Sequence, residues 1–422
     1  MHGISGEGRL NGVQMLASEP DLHSGLFLLC RIIMGNACKQ SLRHLLTRSP
    51  KISFSSVHSG LSVASLQRPW SRTSRRRWRQ STLLNSYEAS KTAWPVRYIE
   101  SIFLPEFSIR GEVDESHFQI EEEIARGAFG SVLRVKKKNT EKIYAMKVLS
   151  KAKVIMENAI QQCKDEVTIQ SLLGHHPFIV QCQYRWQNRK ELFIVTEYVT
   201  HGELLSLWKK YNRFSEDLVR LYVAELALAI DFLQNTGVIY RDLKMENILI
   251  DQDGHVQLID FGLAKWLSMG MRATTICGTI RYMAPEILSM KPYTHAVDWW
   301  SLGIIMYALL AGQYPINSGR DHTGMHKLVE NCDYKLPSHC SDKANSVVRK
   351  LLCKDPNKRL QHLYNLKKEQ FFKKLDFDAV LEKRISPLTL LKQSVKTNFH
   401  KSDKSKYFSS NFLSREELPK KN

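Results

Sequence analysis

Acidic, basic and amide side chains that together suit phosphoryl transfer lie within residues 240–247, YRDLKMEN. Asp242 would accept or orient the proton of an attacking hydroxyl group. Lys244 would neutralise charge on the phosphoryl group in transfer. Asn247 offers an amide oxygen, which is a ligand that Mg²⁺ accepts. This spacing predicts a site that positions a hydroxyl group, a phosphoryl group and a metal ion together.

A second metal ligand is predicted at Asp260, which opens the run Asp-Phe-Gly. Two apolar segments, 248–250 and 256–259, predict short strands on either side of a turn at 253–254. Such a hairpin would bring Asn247 and Asp260 close together, so that both can hold one metal ion.

A lysine and a glutamate are predicted to form a buried pair. Lys147 lies on a strand predicted over residues 143–149, where an unpaired charge among apolar neighbours would be costly. Glu166, on a helix predicted over residues 155–173, is the natural partner. The alternative is a lysine on the exposed face of its strand.

A glycine-rich turn follows the first predicted strand. Gly127 and Gly130 would let backbone amides approach phosphates without a Cβ in the way, and Val132 would cover an adenine ring. Taken alone this feature is weak, because glycine-containing hairpins are common and an ordinary turn is the alternative.

The elements that must position these residues form two unlike halves. Strand patterns dominate from His117 to about residue 200, whereas apolar residues after Gly202 recur every three to four positions, as in helices. The sequence therefore predicts an α+β fold of two lobes, a small β-rich one and a larger α-helical one, with the cleft near residue 200.

The order of these motifs over residues 117–372 resembles that of the eukaryotic protein kinases. The runs 284–286, APE, and 298–303, DWWSLG, continue the resemblance at similar distances. Tyr240 in place of histidine and the run 277–286, CGTIRYMAPE, are similar to the AGC group of serine/threonine kinases. Within that group the activation segment is most similar to the ribosomal-protein-kinase branch.

The resemblance implies an enzyme that uses ATP and Mg²⁺ to phosphorylate Ser or Thr in proteins. Asn247 and Asp260 would hold the metal ion, and Thr196 would be the gatekeeper before the hinge. The implied catalytic residues are Lys147, Glu166, Asp242, Lys244 and Asn247. The implied ATP-binding residues are Ile124, Ala125, Arg126, Gly127, Ala128, Phe129, Gly130, Ser131, Val132, Ala145, Lys147, Glu197, Val199 and Leu249.

The resemblance also implies how substrates and regulators act. Thr275 would be the phosphoacceptor of the activation loop, modified by an upstream kinase, and its phosphate would pair with Arg241 and Lys265. Glu203 and Glu246 match the carboxylates that bind an arginine three residues before the target Ser or Thr. Basic protein substrates are therefore expected.

Four further positions carry structural or specificity roles by the same resemblance. Glu286 and Arg359 would form a buried ion pair, and Asp298 would brace the backbone of the catalytic loop. Ala308 replaces a further acid that some relatives carry, so we expect selectivity for arginine at −3 and none at −2.

Three departures from the family pattern leave a second function open. Ala125 stands in place of the first glycine of the phosphate loop, and Gln170 in place of a leucine one turn after Glu166. With Cys182, Gln170 would weaken the hydrophobic column that holds the helix of Glu166 inward. The alternative function is a pseudokinase or scaffold that binds nucleotide or partners with little catalysis.

The chain is basic, with 61 Lys and Arg against 42 Asp and Glu and a formal net charge of +19 over 422 residues. Residues 1–116 are expected to be a basic, mostly disordered region. The arginine cluster at 72–79 would contact anionic membranes or act in nuclear import, with a solvated linker as the alternative. Residues 373–422 read as an AGC-like but divergent tail.

No apolar run is long enough to span a bilayer, and no secretory signal is evident. The eight cysteines are scattered without a C-x-x-C pair, which argues against zinc. We therefore expect a cytoplasmic or nuclear protein, with a lipid anchor only if a shorter form begins at Met34. No nucleic-acid-binding motif is present, so specific binding to nucleic acid is not expected.

Overall fold

The computed structural model describes four stretches of the chain, residues 97–109, 112–268, 270–316 and 321–392. Predictions for the arginine cluster at 72–79, the start at Met34 and the tail beyond residue 392 lie outside the described residues. Within the described stretches, no helix is long and apolar enough to cross a membrane.

The smaller lobe is built on a five-stranded antiparallel sheet with the strand order β1-β2-β3-β5-β4. Its strands are β1 (Phe118–Arg126), β2 (Gly130–Lys137), β3 (Ile143–Ser150), β4 (Cys182–Gln187) and β5 (Glu191–Glu197). The alternation along β3 buries Tyr144 and Met146 on one face of the sheet, while Lys147 and the buried Leu149 lie on the opposite face.

Residues before the sheet belong to the same lobe. A short helix, α1 (Tyr98–Ser101), leads into a segment in which Phe103 and Phe107 are completely buried. Ser108 then forms a parallel bridge with Trp186 of β4. Residues 97–109 are thus an ordered part of the region 1–116 that the sequence predicts to be mostly disordered, because two aromatic side chains anchor this segment to the lobe.

The helix predicted over residues 155–173 is two helices, α2 (Lys151–Met156) and α3 (Ile160–Leu173). They are separated at Asn158, whose φ of +53° is left-handed. Asparagine tolerates this conformation better than most residues, because its short side chain can hydrogen-bond locally. The break therefore starts a new helix, α3, which carries Glu166.

The larger lobe is helical, and its two central helices are α5 (Glu216–Asn235) and α7 (Ala296–Ala311). In α7, which lies at the middle of the lobe, residues 296–310 are all buried, as expected of a helix that is apolar on every side. The helices of this lobe are α4 (Leu204–Tyr211), α5 (Glu216–Asn235), α6 (Pro285–Leu288), α7 (Ala296–Ala311), α8 (His322–Asn331), α9 (Asp342–Leu351), α10 (Leu363–Lys367) and α11 (Phe377–Leu381). With the sheet, this confirms the predicted α+β fold of two lobes.

Short strands position the catalytic loop on the larger lobe. The strands are β6 (Val238–Ile239), β7 (Ile248–Ile250), β8 (Val256–Leu258) and β9 (Lys265–Trp266). β7 pairs with β8, as the sequence predicts, and β6 pairs with β9. A single 3₁₀ turn, Met245–Asn247, leads from the catalytic loop into β7.

Ordered packing continues beyond residue 372. Phe377, Val380 and Leu391 are buried against the larger lobe. Lys383 Nζ lies 3.0 Å from Asp251 Oδ2 at the end of β7. The first part of the predicted tail is therefore part of the lobe.

Candidate active site

Lys147 joins three elements at the cleft between the lobes. On β3 it lies opposite Val132 of β2 and Ile194 of β5. Its Nζ is 2.6 Å from Glu166 Oε1 on α3 and 3.2 Å from Asp260 Oδ1. The predicted pair of Lys147 and Glu166 is present, and Asp260 is a second partner.

Lys147 and Asp260 stabilise each other's charge, whereas burial and the charge of Asp260 raise the pKa of Glu166 in spite of Lys147. Burial opposes the charge of Lys147, but the attraction of Glu166 and Asp260 outweighs it and raises the pKa of the lysine. The attraction of Lys147 is the main reason that the pKa of Asp260 lies below its ordinary value, in spite of desolvation. Lys147 and Asp260 are therefore both charged at neutral pH.

Three side chains hold the carboxylate of Asp242. Lys244 Nζ is 2.6 Å from its Oδ2, and Asn247 Nδ2 donates to the same oxygen at 3.0 Å. Thr279 Oγ1 donates to Oδ1 at 2.9 Å. The carboxylate is thus fixed in orientation at the cleft, as a group that receives or orients a proton must be.

Thr279 is the site residue that the predicted site set lacked. Its hydroxyl contacts Asp242 and lies 3.1 Å from Lys244 Nζ. The sequence held a signal in the run Cys-Gly-Thr, but nothing local indicates that this threonine returns to a loop more than thirty residues earlier.

Asp298 fixes the backbone that presents Asp242. Its two carboxylate oxygens accept hydrogen bonds from Tyr240 N at 2.9 Å and from Arg241 N at 2.8 Å. Arg241 has a φ of +70°, a strained conformation that costs about 1–3 kcal/mol and needs such support. Desolvation raises the pKa of Asp298 to about 6, although the two backbone hydrogen bonds oppose the shift.

Asp260 and Asn247 lie at adjacent ends of the β7–β8 hairpin. Ile259 N donates to Asn247 O at 3.0 Å, which ties the two ends together. A Cβ at Gly262 would lie 3.1 Å from Asp260 Oδ1, so glycine keeps the space beside this carboxylate open. The Asp260 side chain is 47% exposed and ionised, so it is available to a cation.

This donor set fits a metal ion that arrives with a nucleotide. Mg²⁺ is commonly held by one or two protein oxygen ligands, with phosphate oxygens and water completing its octahedron. Asp260 supplies a carboxylate and Asn247 an amide oxygen. Among the described residues there is no group of three or more His, Cys, Asp or Glu that could hold a metal ion.

The glycine-rich turn closes tightly between β1 and β2. Gly127 N donates to Gly130 O at 2.8 Å. A Cβ on Gly130 would lie 1.8 Å from Val148 O, so only glycine fits there, whereas a Cβ on Gly127 would make only an ordinary contact with Gly130 O at 4.0 Å. Ala125 pairs with Val132 within the ladder, directly after an irregularity in the register between Glu123 and Ala125.

The predicted ATP-binding residues lie on both sides of the cleft. Ile124 to Val132 form the turn and its flanking strands, and Ala145 pairs with Thr196 on the neighbouring strand. Glu197 ends β5 and Val199 follows it. The chain then passes β7, where Glu203 forms an antiparallel bridge with Leu249. This bridge brings the segment that follows Val199 next to Leu249, another of the predicted ATP-binding residues.

The two predicted arginine-binding carboxylates influence each other. Burial raises the pKa of Glu203, and the negative charge of Glu246 raises it further. Glu246 also accepts a hydrogen bond from Tyr282 Oη at 3.4 Å. The two carboxylates are therefore close enough for the charge of one to act on the other.

The activation segment brings Thr275 to an exposed position. Its carbonyl accepts a hydrogen bond from Tyr293 Oη at 2.7 Å. Arg241 Nε donates to Leu263 O at 2.6 Å, while its Nη1 is buried with no hydrogen-bond partner among the described residues. Lys265 is next to Tyr240 through its pairing with Ile239.

A buried ion pair secures the end of the activation segment. Arg359 donates to both carboxylate oxygens of Glu286, at 2.6 and 2.9 Å. The guanidinium also donates to Ala296 O and Cys353 O, both at 2.9 Å. Every charge in this buried group is thus compensated, as burial requires.

The inner column behind Glu166 combines aromatic and polar residues. Tyr240 and Phe261 are completely buried and make an edge-to-face contact with ring centroids 5.1 Å apart. Gln170 and Cys182 are also buried, and Gln170 Oε1 has no hydrogen-bond partner among the described residues. Two positions of the column therefore lack large apolar side chains.

Comparison with known proteins agrees with this architecture. Residues 118–372 match the family described as protein kinase domain. The chain is 40% identical over 288 residues to human ribosomal protein S6 kinase-related protein, covering 68% of this chain and 70% of the relative. It is 38% identical over 320 residues to a putative serine/threonine-protein kinase of Caenorhabditis elegans, covering 75% and 72%.

The chain belongs to the protein kinase family. Its relatives include serine/threonine kinases of the AGC type, such as the akt-1 kinase of Caenorhabditis elegans at 33% identity over 311 residues, 72% of this chain and 56% of the relative. The predicted resemblance to AGC serine/threonine kinases of the ribosomal-protein-kinase-related branch is thereby confirmed.

Proposed function

We propose that this protein transfers the γ-phosphoryl group of ATP to serine or threonine hydroxyls of basic protein substrates. The observation that carries the proposal is the intact linkage of Lys147 to Glu166 and Asp260, opposite a fixed Asp242. Lys147 contacts both carboxylates, and three other side chains hold Asp242 in place, so the groups that the reaction needs are all positioned.

Each group has a role that follows from its position. Asp242 orients the substrate hydroxyl and receives its proton, and Lys244 supplies positive charge beside it. Lys147, charged and held by Glu166, binds nucleotide phosphate. Asp260 and Asn247 would hold Mg²⁺, which neutralises phosphate charge when bound.

Glu203 and Glu246 support a preference for arginine three residues before the phosphorylated residue. A guanidinium placed between the two carboxylates would remove the repulsion that raises the pKa of Glu203. Ala308 offers no acid for an arginine at −2.

Thr275 is proposed as the site at which an upstream kinase activates the protein. The buried Nη1 of Arg241 lacks a partner, and a phosphate on Thr275 would supply charge for Arg241 and for Lys265. Such pairing orders the activation segment, in which Thr279 lies, and so keeps Thr279 in contact with Asp242.

The test is phosphate transfer by purified protein phosphorylated at Thr275, with peptides that differ only in Arg or Ala at −3. We expect turnover that falls by about two orders of magnitude or more in Asp242→Asn, with nucleotide binding retained. Lys153→Met, an exposed lysine on α2, is a matched control for Lys147→Met. Activity equal to that of Asp242→Asn would refute the kinase proposal.

Substrate preference is tested separately. In Glu203→Ala and Glu246→Ala, kcat/KM should fall for the Arg peptide and stay level for the Ala peptide. If both peptides were affected equally, the carboxylates would not form the arginine site.

The polar column at Gln170 and Cys182, with Ala125 in the phosphate turn, favours one second candidate: a scaffold that binds nucleotide without turnover. This candidate predicts a nucleotide-dependent rise in melting temperature in a protein whose phosphate transfer equals that of Asp242→Asn.

A further inference from the structure

Residues 97–109 precede the part of the chain that matches the kinase family, yet they pack on the helix that carries Glu166. Phe103 and Phe107 are completely buried and make an edge-to-face contact, with ring centroids 6.4 Å apart. They share one apolar cluster with residues from the helices α2 and α3 and from the sheet, namely Val154, Ala159, Cys163, Val167, Cys182, Leu192 and Ile194.

Polar contacts fix the same segment to α3. Lys164 Nζ is 2.9 Å from Glu106 Oε2 and donates to Leu104 O at 2.8 Å. Both side chains of this ion pair are largely shielded from solvent, with 13% of Lys164 and 24% of Glu106 exposed. The pair is therefore screened less than a surface pair.

The segment is also tied to β4. Gln187 Nε2 donates to Phe107 O at 2.7 Å, and Gln187 N donates to Ser108 O at 2.9 Å. Arg185 Nε donates to Glu106 O at 2.9 Å. The segment thus bridges α3, which carries Glu166, and β4, the edge strand of the sheet that carries Lys147 on β3.

This outer contact complements the inner column. On the side of α3 that faces the active site, Gln170 and Cys182 replace large apolar groups. Cys182 also belongs to the cluster around Phe103 and Phe107. The inner column lacks large apolar side chains at Gln170 and Cys182. The rings of Phe103 and Phe107 supply apolar contacts on the other side of α3, where they cluster with Cys163 and Val167, both within one turn of Glu166.

We propose that residues 97–109 form a strap, whose Phe103 and Phe107 are positioning residues that hold α3 so that Glu166 reaches Lys147. The proposal rests on the kinase activity proposed above and adds an element to it. Because the strap acts through the Lys147–Glu166 pair, it affects kcat. The proposed peptide-binding residues Glu203 and Glu246 lie on the other lobe, so the strap does not affect peptide binding.

The test compares the full chain with the double variant Phe103→Ala/Phe107→Ala. We expect kcat to fall roughly ten- to a hundredfold, because displacing a catalytic group by about 1 Å is enough for such a loss. KM for the peptide should stay the same. A synthetic peptide of residues 97–109 added in trans should restore kcat saturably, and the same peptide with both phenylalanines replaced by alanine should not.

The matched control is Phe371→Ala/Phe372→Ala, which removes two buried rings from the larger lobe. It should lower the melting temperature while leaving the kcat of the folded protein within about twofold. A second variant avoids large cavities. Lys164→Glu should lower kcat, and combining it with Glu106→Lys should recover most of the loss.

Unchanged kcat in the phenylalanine double variant, or a loss that the strap peptide fails to restore, would overturn the proposal. Amide hydrogen exchange in α3 gives a readout that does not need activity. Exchange should accelerate in the Phe103→Ala/Phe107→Ala variant and stay unchanged in the Phe371→Ala/Phe372→Ala control. If the unaltered chain proved inactive, the kinase proposal would fail. The exchange rates in α3 would still show whether the strap holds this helix in place.

Discussion

Single residues in the candidate site are held by partners distant in sequence. Asp242 is fixed by Lys244 and Asn247 nearby, but also by Thr279 from the activation segment. Motif spacing predicted that Lys244 and Asn247 share one site with Asp242, because all three lie within one loop. The third depends on the path of the intervening chain, which no local pattern encodes.

The pKa of Asp298 predicts a pH dependence of activity. At about 6 in the fold, it lies above the ordinary value of 3.8. The protonated carboxyl group cannot accept hydrogen bonds from both Tyr240 N and Arg241 N as well as the carboxylate does. We therefore expect kcat at saturating substrate to fall as pH drops below about 6.

Stability has the opposite sign at this residue. Because the folded protein binds this proton more tightly than the unfolded chain, Asp298 stabilises the fold below its unfolded pKa and loses that contribution as pH rises through 6. Asp298→Asn should lower kcat and remove the break in the pH profile. A wild-type break that persists in Asp298→Asn would assign it to another group.

At the scale of elements, the strands were predictable and the helix before the active site was only partly so. The strand pattern over residues 143–149 located β3, and the paired apolar runs located β7 and β8. The division between α2 and α3 escaped prediction because residues 155–173 hold no glycine or proline before Gly174, the usual signals of a break. The left-handed Asn158 makes it instead.

Asn158 gives a prediction for this break. Asn158→Val should destabilise the protein by about 1–2 kcal/mol, because a β-branched residue is strained at a φ of +53°. Asn158→Gly is the control and should be neutral or slightly stabilising, since glycine adopts this conformation freely. Chemical denaturation of both variants measures the difference, and equal losses would show that the side chain of Asn158 matters more than its backbone.

At the scale of the whole molecule, the ordered part extends past both predicted boundaries. Composition indicated disorder before residue 116, but Phe103 and Phe107 anchor residues 97–109 through contacts that only the folded lobe provides. At the other end, Phe377 and Leu391 are buried beyond residue 372. A few apolar residues without helical or strand periodicity do not predict that a segment packs against a folded lobe.

The pairing of Lys383 with Asp251 predicts how the C-terminal extension contributes to stability. Burial opposes the charge of Asp251, but hydrogen bonding and attraction from Lys383 outweigh it and hold its pKa below the ordinary value. Lys383→Ala should lower the melting temperature by about 2–4 °C, corresponding to about 1 kcal/mol. The difference from wild type should shrink as pH falls through the pKa of Asp251, because the pair needs the ionised carboxylate.

Arg384→Ala is the matched control for this extension. Arg384 is exposed and pairs with Glu382 on its own segment, so its loss should change the melting temperature little. Equal effects of the two substitutions would show that Lys383 does not fasten the extension to the lobe.

The strap changes how natural sequence variation in this chain should be weighed. Phe107 lies forty residues before Lys147 and outside residues 118–372, the region shared with the family. A comparison restricted to the shared region would score a substitution at Phe103 or Phe107 as harmless. Because these rings support Glu166, a substitution at Phe103 or Phe107 should be expected to lower activity, as substitutions in the active site do.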